Sequence, residues 1–216
     1  MSVSSKVSSN KGKGLFITFE GVEGAGKTTN IQYIAEKIEA SGQEVLLTRE
    51  PGGTELSEAI RELLISKDYP EMHINTELLL MFAARSEHLN KKILPAIDAG
   101  KWVLCDRFTD ATFAYQGGGR GISEESISIL ESLVQGLLKP DYTFLFDLNA
   151  EIGLARAQNR GETDRFEQQH IDFFNRVREK YLSMAKAESQ RYRIVHAQHD
   201  LATVQQQIRQ LLTEII

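Results

Sequence analysis

The chain has 216 residues, of which 41% are hydrophobic and 25% charged, and its formal net charge is −5 at pH 7. This length suits one α/β domain with a substantial core, and the acidic balance argues against a surface that coats nucleic acid. No stretch approaches the roughly 18 apolar residues of a membrane span, and a single cysteine, Cys105, excludes an internal disulfide.

The N-terminal residues 1–13 are rich in Ser, Lys, Gly and Asn, and they lack the apolar segment of a signal peptide. We predict a disordered tail over residues 1–13 and one domain over residues 14–216. The lone cysteine is typical of a reducing compartment, so we expect a cytoplasmic protein.

The first predicted strand, residues 15–20, runs directly into the sequence GVEGAGKT at residues 21–28. This sequence matches the pattern GxxxxGKS/T, in which backbone N–H groups and a helix N-terminus bind phosphate oxygens. Apolar residues at helical spacing follow it: Ile31, Ile34, Ala35 and Ile38. Because strand, loop and helix occur in this order, we predict that the chain binds a nucleoside triphosphate.

Every residue of the loop is assigned to phosphate binding. We expect the Lys27 ammonium to reach the β- and γ-phosphates and the Thr28 hydroxyl to ligate Mg²⁺. The full predicted set is Gly21, Val22, Glu23, Gly24, Ala25, Gly26, Lys27, Thr28 and Thr29.

Further strands are predicted at residues 44–48, 102–106, 142–146 and 192–196, with helices near residues 56–64, 76–99, 127–130 and 201–216. Alternating helices and nearly continuous apolar strands are typical of a parallel sheet covered on both faces. We therefore predict an α/β P-loop NTPase fold with five parallel strands. Ligands of such sheets bind beyond the carboxyl ends of the strands, where Gly21, Arg49, Asp106 and Arg107 fall.

The arginines form two groups, which favours two phosphorylated substrates. A guanidinium is a planar fork of donors that suits phosphate and keeps its charge at neutral pH. For the helical arginines of the second group, the alternative is an ordinary exposed helix face. The first group is Arg49, Arg85 and Arg107, and the second is Arg156, Arg160 and Arg165.

Asp106 directly follows an apolar strand, as the acidic residue of the second NTPase motif does. We expect it to hold the water shell of Mg²⁺ or to orient Arg107 and the acceptor. The alternative is an aspartate that caps a turn at the end of the strand.

Several segments together resemble the bacterial thymidylate kinase family, and the resemblance covers about residues 14–216. They are residues 19–29, TREPGGT at 48–54, DRF at 106–108, AYQG at 114–117, and residues 156–165. The resemblance implies phosphorylation of thymidine 5′-monophosphate (dTMP) by ATP with Mg²⁺ in dTTP biosynthesis. It also implies a homodimer, with no nucleic-acid or membrane partner.

The same resemblance implies roles for individual residues. Glu23 is similar to the carboxylate that contacts the deoxyribose 3′-hydroxyl, and Gln116 to the amide that pairs with thymine, whose edge presents both a donor and an acceptor. The implied phosphate ligands of dTMP are Arg49, Arg85 and Arg107, with Thr112 and Tyr115 lining the pocket.

The base-stacking aromatic departs from the family pattern. The family has it four residues before the helix arginine, where this chain has Met81. Phe82 lies three residues before Arg85 on the same helical face, so Phe82 is assigned to stack on thymine. The alternative is that Phe82 belongs to the core.

Residues 154–166 resemble the family's mobile, arginine-rich lid, which closes over ATP and excludes water. Arg160 and Arg165 are the predicted catalytic arginines, and Arg156 is assigned to the nucleotide. The complete predicted catalytic set is Lys27, Asp106, Arg107, Arg160 and Arg165, and the predicted metal-site residues are Thr28 and, through water, Asp106.

Two other classes of protein fit parts of the sequence. Deoxynucleoside kinases also carry an Asp-Arg pair after a strand, but Arg49 and Arg85 favour an acceptor that already bears a phosphate. A nucleotide-dependent switch or ATPase is the other class. The chain lacks the Asn-Lys-x-Asp motif with which switch GTPases bind their base.

Overall fold

The computed structural model describes residues 14–158, 165, 166 and 168–216. The predicted tail, residues 1–13, and the predicted catalytic residue Arg160 lie outside these residues.

Five strands form one parallel sheet, which confirms the predicted fold class. Their order is β2-β3-β1-β4-β5, so the strand that leads into the phosphate loop is central. The bounds agree with the predicted ones to within one residue at either end. They are β1 (Phe16–Glu20), β2 (Val45–Arg49), β3 (Trp102–Asp106), β4 (Tyr142–Asp147) and β5 (Tyr192–His196).

Helices cover both faces of the sheet, and within the described residues none is long and apolar enough to cross a membrane. They are α1 (Lys27–Ala40), α2 (Glu55–Ile65), α3 (Ile74–His88), α4 (Leu94–Asp98), α5 (Thr109–Thr112), α6 (Glu124–Gln135), α7 (Ala150–Gln158), α8 (Ile171–Ala187) and α9 (Leu201–Leu212). A π-helical turn at Leu89–Ile93 joins α3 to α4, and the predicted long helix is therefore one interrupted helical stretch. Helix α8 is an addition to the predicted elements.

Alternation along the strands explains the two apolar layers. In β1, Ile17 and Phe19 belong to one buried cluster, whereas Phe16 belongs to another. The side chains of β3 alternate in the same way, with Leu104 in the first cluster and Cys105 in the second. Because successive side chains of a strand point to opposite faces, a run of apolar residues anchors helices on both sides. Both layers leave the carboxyl ends of the strands open to a ligand.

Candidate active site

The phosphate loop joins β1 to α1 through glycines that no other residue could replace without strain. Gly21 and Gly24 have φ angles of 136° and 71°, in the region that side chains avoid. A Cβ atom on Gly21 would lie 2.5 Å from the Phe146 carbonyl oxygen, and one on Gly24 would lie 2.2 Å from that of Gly153. The loop is thus packed against β4 and α7, which holds its backbone N–H groups in place.

Lys27 is the first residue of α1 and is almost fully buried beneath this loop. Its Nζ lies 3.3 Å from the carbonyl oxygen of Gly21 and 3.4 Å from that of Val22. Burial, together with the positive charge of Arg107, lowers the pKa of Lys27 below its ordinary value. Burial and Arg107 thus outweigh the nearby carboxylates, and an anionic ligand at the loop would stabilise the ammonium.

Asp106 ends β3 beside the loop. Its Oδ1 is buried and has no hydrogen-bond donor among the residues that the structure describes. Thr28, one residue into α1, is exposed. A buried carboxylate oxygen without a donor fits the water shell of Mg²⁺, which binds through one or two carboxylates and substrate phosphates. The described residues contain no cluster of three acidic, His or Cys side chains that would form an all-protein metal cage.

Arg107 turns the chain sharply after β3. It is the only described residue other than glycine with a positive φ angle, at 68°, a conformation that costs on the order of 1–3 kcal/mol. Its backbone N–H donates to the Phe19 carbonyl oxygen at 3.0 Å, and the next N–H, of Phe108, donates to Glu20 Oε1 at 2.8 Å. These bonds maintain a strained turn at the edge of the sheet, which is typical of functional sites.

The Arg107 side chain links the phosphate loop to a neighbouring cavity. Nη1 donates to the Gly21 carbonyl oxygen at 2.9 Å, and Nη2 donates to Glu23 Oε1 at 2.8 Å. The guanidinium lies 4.8 Å from the centre of the Tyr115 ring, and the Tyr115 hydroxyl donates to Glu23 Oε2. Burial raises the pKa of Glu23, but the charges of Arg107 and Lys27 outweigh it and hold the pKa below its ordinary value. Glu23 is therefore an anion at neutral pH.

The cavity has a volume of about 90 Å³, and it lies beyond the carboxyl ends of the strands, where ligands of such sheets bind. Six of the eight residues predicted to bind dTMP line it, so the structure brings together residues that are far apart in sequence. They are Glu23, Arg85, Arg107, Thr112, Tyr115 and Gln116. Tyr115 and Gln116 lie on a π-helical turn, Phe113–Gly119, a distortion that often occurs at functional sites.

Arg85 forms a buried wall of this cavity. Its Nε donates to Glu50 Oε2 at 2.7 Å and its Nη2 to Thr112 Oγ1 at 3.0 Å. His88 Nδ1 lies 3.0 Å from Glu50 Oε1, so Glu50 connects two residues of α3. Arg85 Nη1 is buried without a partner among the described residues. Since an unpaired buried donor costs about 1–3 kcal/mol, this atom is suited to an oxygen of a ligand.

Arg49, a predicted ligand of the acceptor phosphate, does not line the cavity in this structure. Its side chain is 53% exposed and donates to Glu58 Oε2 at 2.7 Å. Side chains alternate along the chain as it leaves β2, so the buried Glu50 points toward the site and Arg49 points away. Arg61 of α2 lines the cavity in its place.

Phe82 also lies outside the cavity. It is 2% exposed and packs in a core cluster with Leu78, Ile122 and Ile127. Met81, the residue at the family's stacking position, lines the cavity instead. A helix rotates by about 100° per residue, and this rotation places the two neighbours on different faces. Of the two residues, Met81 is therefore the one that lines the cavity, and the alternative that Phe82 belongs to the core fits this structure.

Arg165 is buried rather than directed at the phosphate loop. Its Nη2 lies 2.7 Å from Glu77 Oε2, and its Nε donates to the Leu64 carbonyl oxygen at 2.8 Å. In this structure the Arg165 side chain joins the predicted lid to α2 and α3 through these contacts, and its catalytic role stays a prediction. Arg156, assigned to the nucleotide, donates to the Ala197 carbonyl oxygen at 3.1 Å beyond β5.

Sequence reasoning missed several residues of the cavity. The alternation of side chains along β2 could have indicated Glu50. The four-residue spacing between the aromatic and the arginine in the family pattern could have indicated Met81. No sequence signal indicated the others, because their positions follow from the packing of α2 and the chain near residue 166 around the opening. The missed residues include Glu50, Arg61, Met81 and Phe166.

A buried carboxyl group, Glu20, lies beneath Arg107. The Tyr181 hydroxyl donates to its Oε2 at 2.7 Å, and Arg107 Nη1 lies 3.4 Å from the same hydroxyl. Burial, followed by the charge of Asp110, raises the pKa of Glu20 to about 8. At neutral pH this carboxyl group therefore holds a proton.

This proton gives the fold a pH-dependent stability. Between the ordinary pKa of 4.5 and about 8, the folded state keeps a proton that the unfolded state releases, so this stabilisation is lost as the pH rises through 8. We expect the free energy of unfolding to fall between about pH 4.5 and pH 8 in the wild type and to fall less in Glu20→Gln, which mimics the protonated acid. Urea titrations across this range measure it, and parallel curves would contradict the expectation.

Comparisons with known proteins agree with this geometry. A sequence model described as thymidylate kinase matches residues 19–208. The thymidylate kinase of Pseudomonas syringae pv. tomato is 59% identical over 203 residues, covering 94% of this chain and 97% of that protein. The thymidylate kinase of Ectopseudomonas mendocina is 56% identical with the same coverage. The crystal structure of thymidylate kinase from Ehrlichia chaffeensis superposes with a TM-score of 0.73 at 32% identity, covering 95% of this chain and all of that one.

Proposed function

The chain belongs to the thymidylate kinase family, and on this basis we propose that it transfers the γ-phosphoryl group of ATP to dTMP, in dTTP biosynthesis. One observation carries the proposal: Arg107 lines the cavity and also bonds to the phosphate loop, at Gly21 and at Glu23. Donor and acceptor phosphates bound in these two places meet at its guanidinium. A free, buried Cys105 is expected in a reducing compartment, and we infer a cytoplasmic location.

The acceptor is a phosphate monoester, largely ionised near neutral pH, so the reaction needs no general base to form the nucleophile. Catalysis then consists of alignment and charge neutralisation. Lys27 neutralises the β- and γ-phosphates, while Arg107 holds the acceptor phosphate in line with the γ-phosphorus. Arg85, whose Nη1 is buried without a partner among the described residues, is a second guanidinium for the acceptor phosphate, and Arg61 on the cavity wall is a third.

Mg²⁺ would be held by Thr28 and, through water, by Asp106, the residue whose Oδ1 is buried without a donor. The ion supplies charge neutralisation between the β- and γ-phosphates. The chain's own contribution there is a fixed carboxylate and a hydroxyl on either side of the phosphate loop.

The remaining wall suits a pyrimidine nucleoside. Glu23 is an anion beside the loop that can accept a hydrogen bond from the deoxyribose 3′-hydroxyl. Gln116 presents its amide to the base edge, with Thr112 and Tyr115 beside it and Met81 on the stacking face. Arg160 stays a proposed catalytic residue and Arg156 a proposed nucleotide contact, both on the basis of the family resemblance.

A coupled assay of ADP release tests the proposal, with ATP, Mg²⁺ and one acceptor at a time. We expect ADP formation that depends on dTMP, is weak with deoxyuridine monophosphate and is absent with thymidine. Equal rates with and without an acceptor would indicate an ATPase instead. Activity with thymidine itself would indicate a deoxynucleoside kinase.

We further propose that the protein is a homodimer, as the family resemblance implies. Helices α2, α3 and α6 pack side by side and present exposed apolar side chains, among them Leu56, Leu79, Ile129 and Leu133. Exposed apolar groups of this kind mark interaction sites on soluble domains. A second copy that offers the same helices covers this face by a two-fold axis.

Leu79→Glu is expected to convert the dimer to a monomer, because it places a charge in the middle of this face on α3. The dimer dissociation constant should rise at least about tenfold, which corresponds to about 1.4 kcal/mol. Sedimentation equilibrium measures it, and Leu201→Glu, at an equally exposed leucine on α9, serves as the control. A dimer that survives Leu79→Glu would place the interface elsewhere.

A further inference from the structure

Glu77 is a buried carboxylate that the proposed reaction does not use. It lies in the first turn of α3 and is 1% exposed. Three side chains converge on it. Gln116 Nε2 donates to Oε1 at 2.9 Å, Arg120 Nη2 lies 3.2 Å from Oε2, and Arg165 Nη2 lies 2.7 Å from Oε2.

The Glu77 contact determines which way the Gln116 amide points. A carboxylate between two guanidinium groups only accepts hydrogen bonds, so the Gln116 NH₂ group must face it. Gln116 is itself 1% exposed, and its side chain lines the acceptor cavity. Because one N–H of Nε2 is held at Glu77, the amide cannot exchange its two ends, and the carbonyl oxygen Oε1 is the acceptor that it offers to a ligand.

A fixed acceptor distinguishes pyrimidine bases at their N3 position. Thymine and uracil carry an N3–H donor, which Oε1 of Gln116 can accept. Cytosine has an unprotonated N3, and two facing acceptors repel each other. A free amide would rotate and offer its NH₂ group to cytosine, because a glutamine side chain is both donor and acceptor.

We propose that Glu77 is a positioning residue that makes Gln116 a hydrogen-bond acceptor and so selects bases with an N3–H group over cytosine. This inference rests on the proposed function, since it concerns the same acceptor site. Glu77 touches no substrate and acts only through the orientation of the Gln116 amide.

Glu77→Gln tests the proposal, because an amide at position 77 can donate to or accept from Gln116 and therefore permits both orientations. We expect kcat/KM to fall for dTMP and to rise for deoxycytidine monophosphate (dCMP). The ratio of the two should fall by about tenfold or more, the effect of one well-placed hydrogen bond.

Arg120→Met is the matched control, since it alters the same ion-pair cluster but leaves the bond between Glu77 and Gln116 intact. If Glu77 only neutralises arginines, both variants lower the activity with dTMP and leave the dTMP to dCMP ratio unchanged. That result, or an equal change of the ratio in Arg120→Met, would overturn the proposal.

A measurement on the wild-type chain covers the case in which Glu77→Gln does not fold. The side-chain NH₂ resonances of Gln116, identified by their loss in Gln116→Leu, should exchange with solvent far more slowly than those of the exposed Gln168. Fast exchange would show that Glu77 does not hold the amide. A wild-type enzyme inactive with dTMP would instead contradict the proposed function, whatever the exchange rate.

Discussion

Lys27→Ala is expected to lower kcat/KM by about 10³-fold, because it removes the buried ammonium that neutralises the transferring phosphoryl group. The loss of one preorganised donor at a developing charge costs about 10²–10³ in kcat, and Lys27 contributes a full charge besides. Steady-state assays with ATP and dTMP measure this effect. Lys37→Ala, on the exposed face of the same helix, should retain wild-type kinetics.

The same substitution should not weaken the fold. Burial and the charge of Arg107 lower the pKa of Lys27, so the ammonium is unfavourable in the empty protein. The free energy of unfolding of Lys27→Ala is therefore expected to equal or exceed that of the wild type. Thermal unfolding without nucleotide provides this comparison, and a large loss of stability would assign Lys27 a structural role instead.

Arg107→Gly should be almost inactive, with kcat/KM for dTMP reduced by about 10³-fold, as for arginines that stabilise transferring phosphoryl groups. The substitution removes the one side chain that bonds both to Gly21 and to Glu23. We expect KM for dTMP to rise as kcat falls, and steady-state kinetics with both substrates varied would show this. Unchanged kinetics would remove Arg107 from the site.

Two further variants, Arg107→Ala and Arg193→Ala, distinguish the loss of the Arg107 side chain from the effect of backbone strain at residue 107. Since φ at residue 107 is 68°, alanine keeps the strain that glycine relieves, and Arg107→Gly should be more stable than Arg107→Ala by roughly 1 kcal/mol. Both variants should be equally inactive. Arg193→Ala, which removes an arginine paired with Glu214 near β5, should retain activity.

The pH profile offers a second measure of the Arg107 contact. Arg107 is the larger of the two charges that offset burial and hold the pKa of Glu23 low. Without Arg107, burial raises the pKa of Glu23 toward or above its ordinary value. In the pH–activity profile of Arg107→Gly, the acidic limb should therefore lie at a higher pH than in the wild type.

Local patterns were sufficient for the strands and the phosphate loop. Each strand is a short apolar run, and β3 and β5 match the predicted bounds at both ends. The loop motif specifies its own geometry, because positive φ angles at Gly21 and Gly24 require glycine. Such features depend on residues adjacent in sequence, and tertiary packing does not alter them.

The direction in which individual side chains point could not be derived from local sequence patterns. Arg49 and Glu50 are neighbours in a strongly characteristic segment, yet only Glu50 enters the cavity. Met81 and Phe82 are adjacent on a helix, and the packing of α3 against α6 decides which of them lines the cavity. Hydrophobic periodicity identifies a helix but leaves its rotation uncertain by about one residue.

The sequence by itself determined the sheet, the triphosphate loop and the chemical type of the acceptor, since motif and periodicity are local properties. Only the tertiary structure decided which arginines line the cavity: Arg61 does so, Arg49 does not, and Arg165 is buried against Glu77. The reason is physical: a guanidinium at the end of a long side chain has several carboxylates within reach. The packing of the surrounding helices determines which of them it contacts.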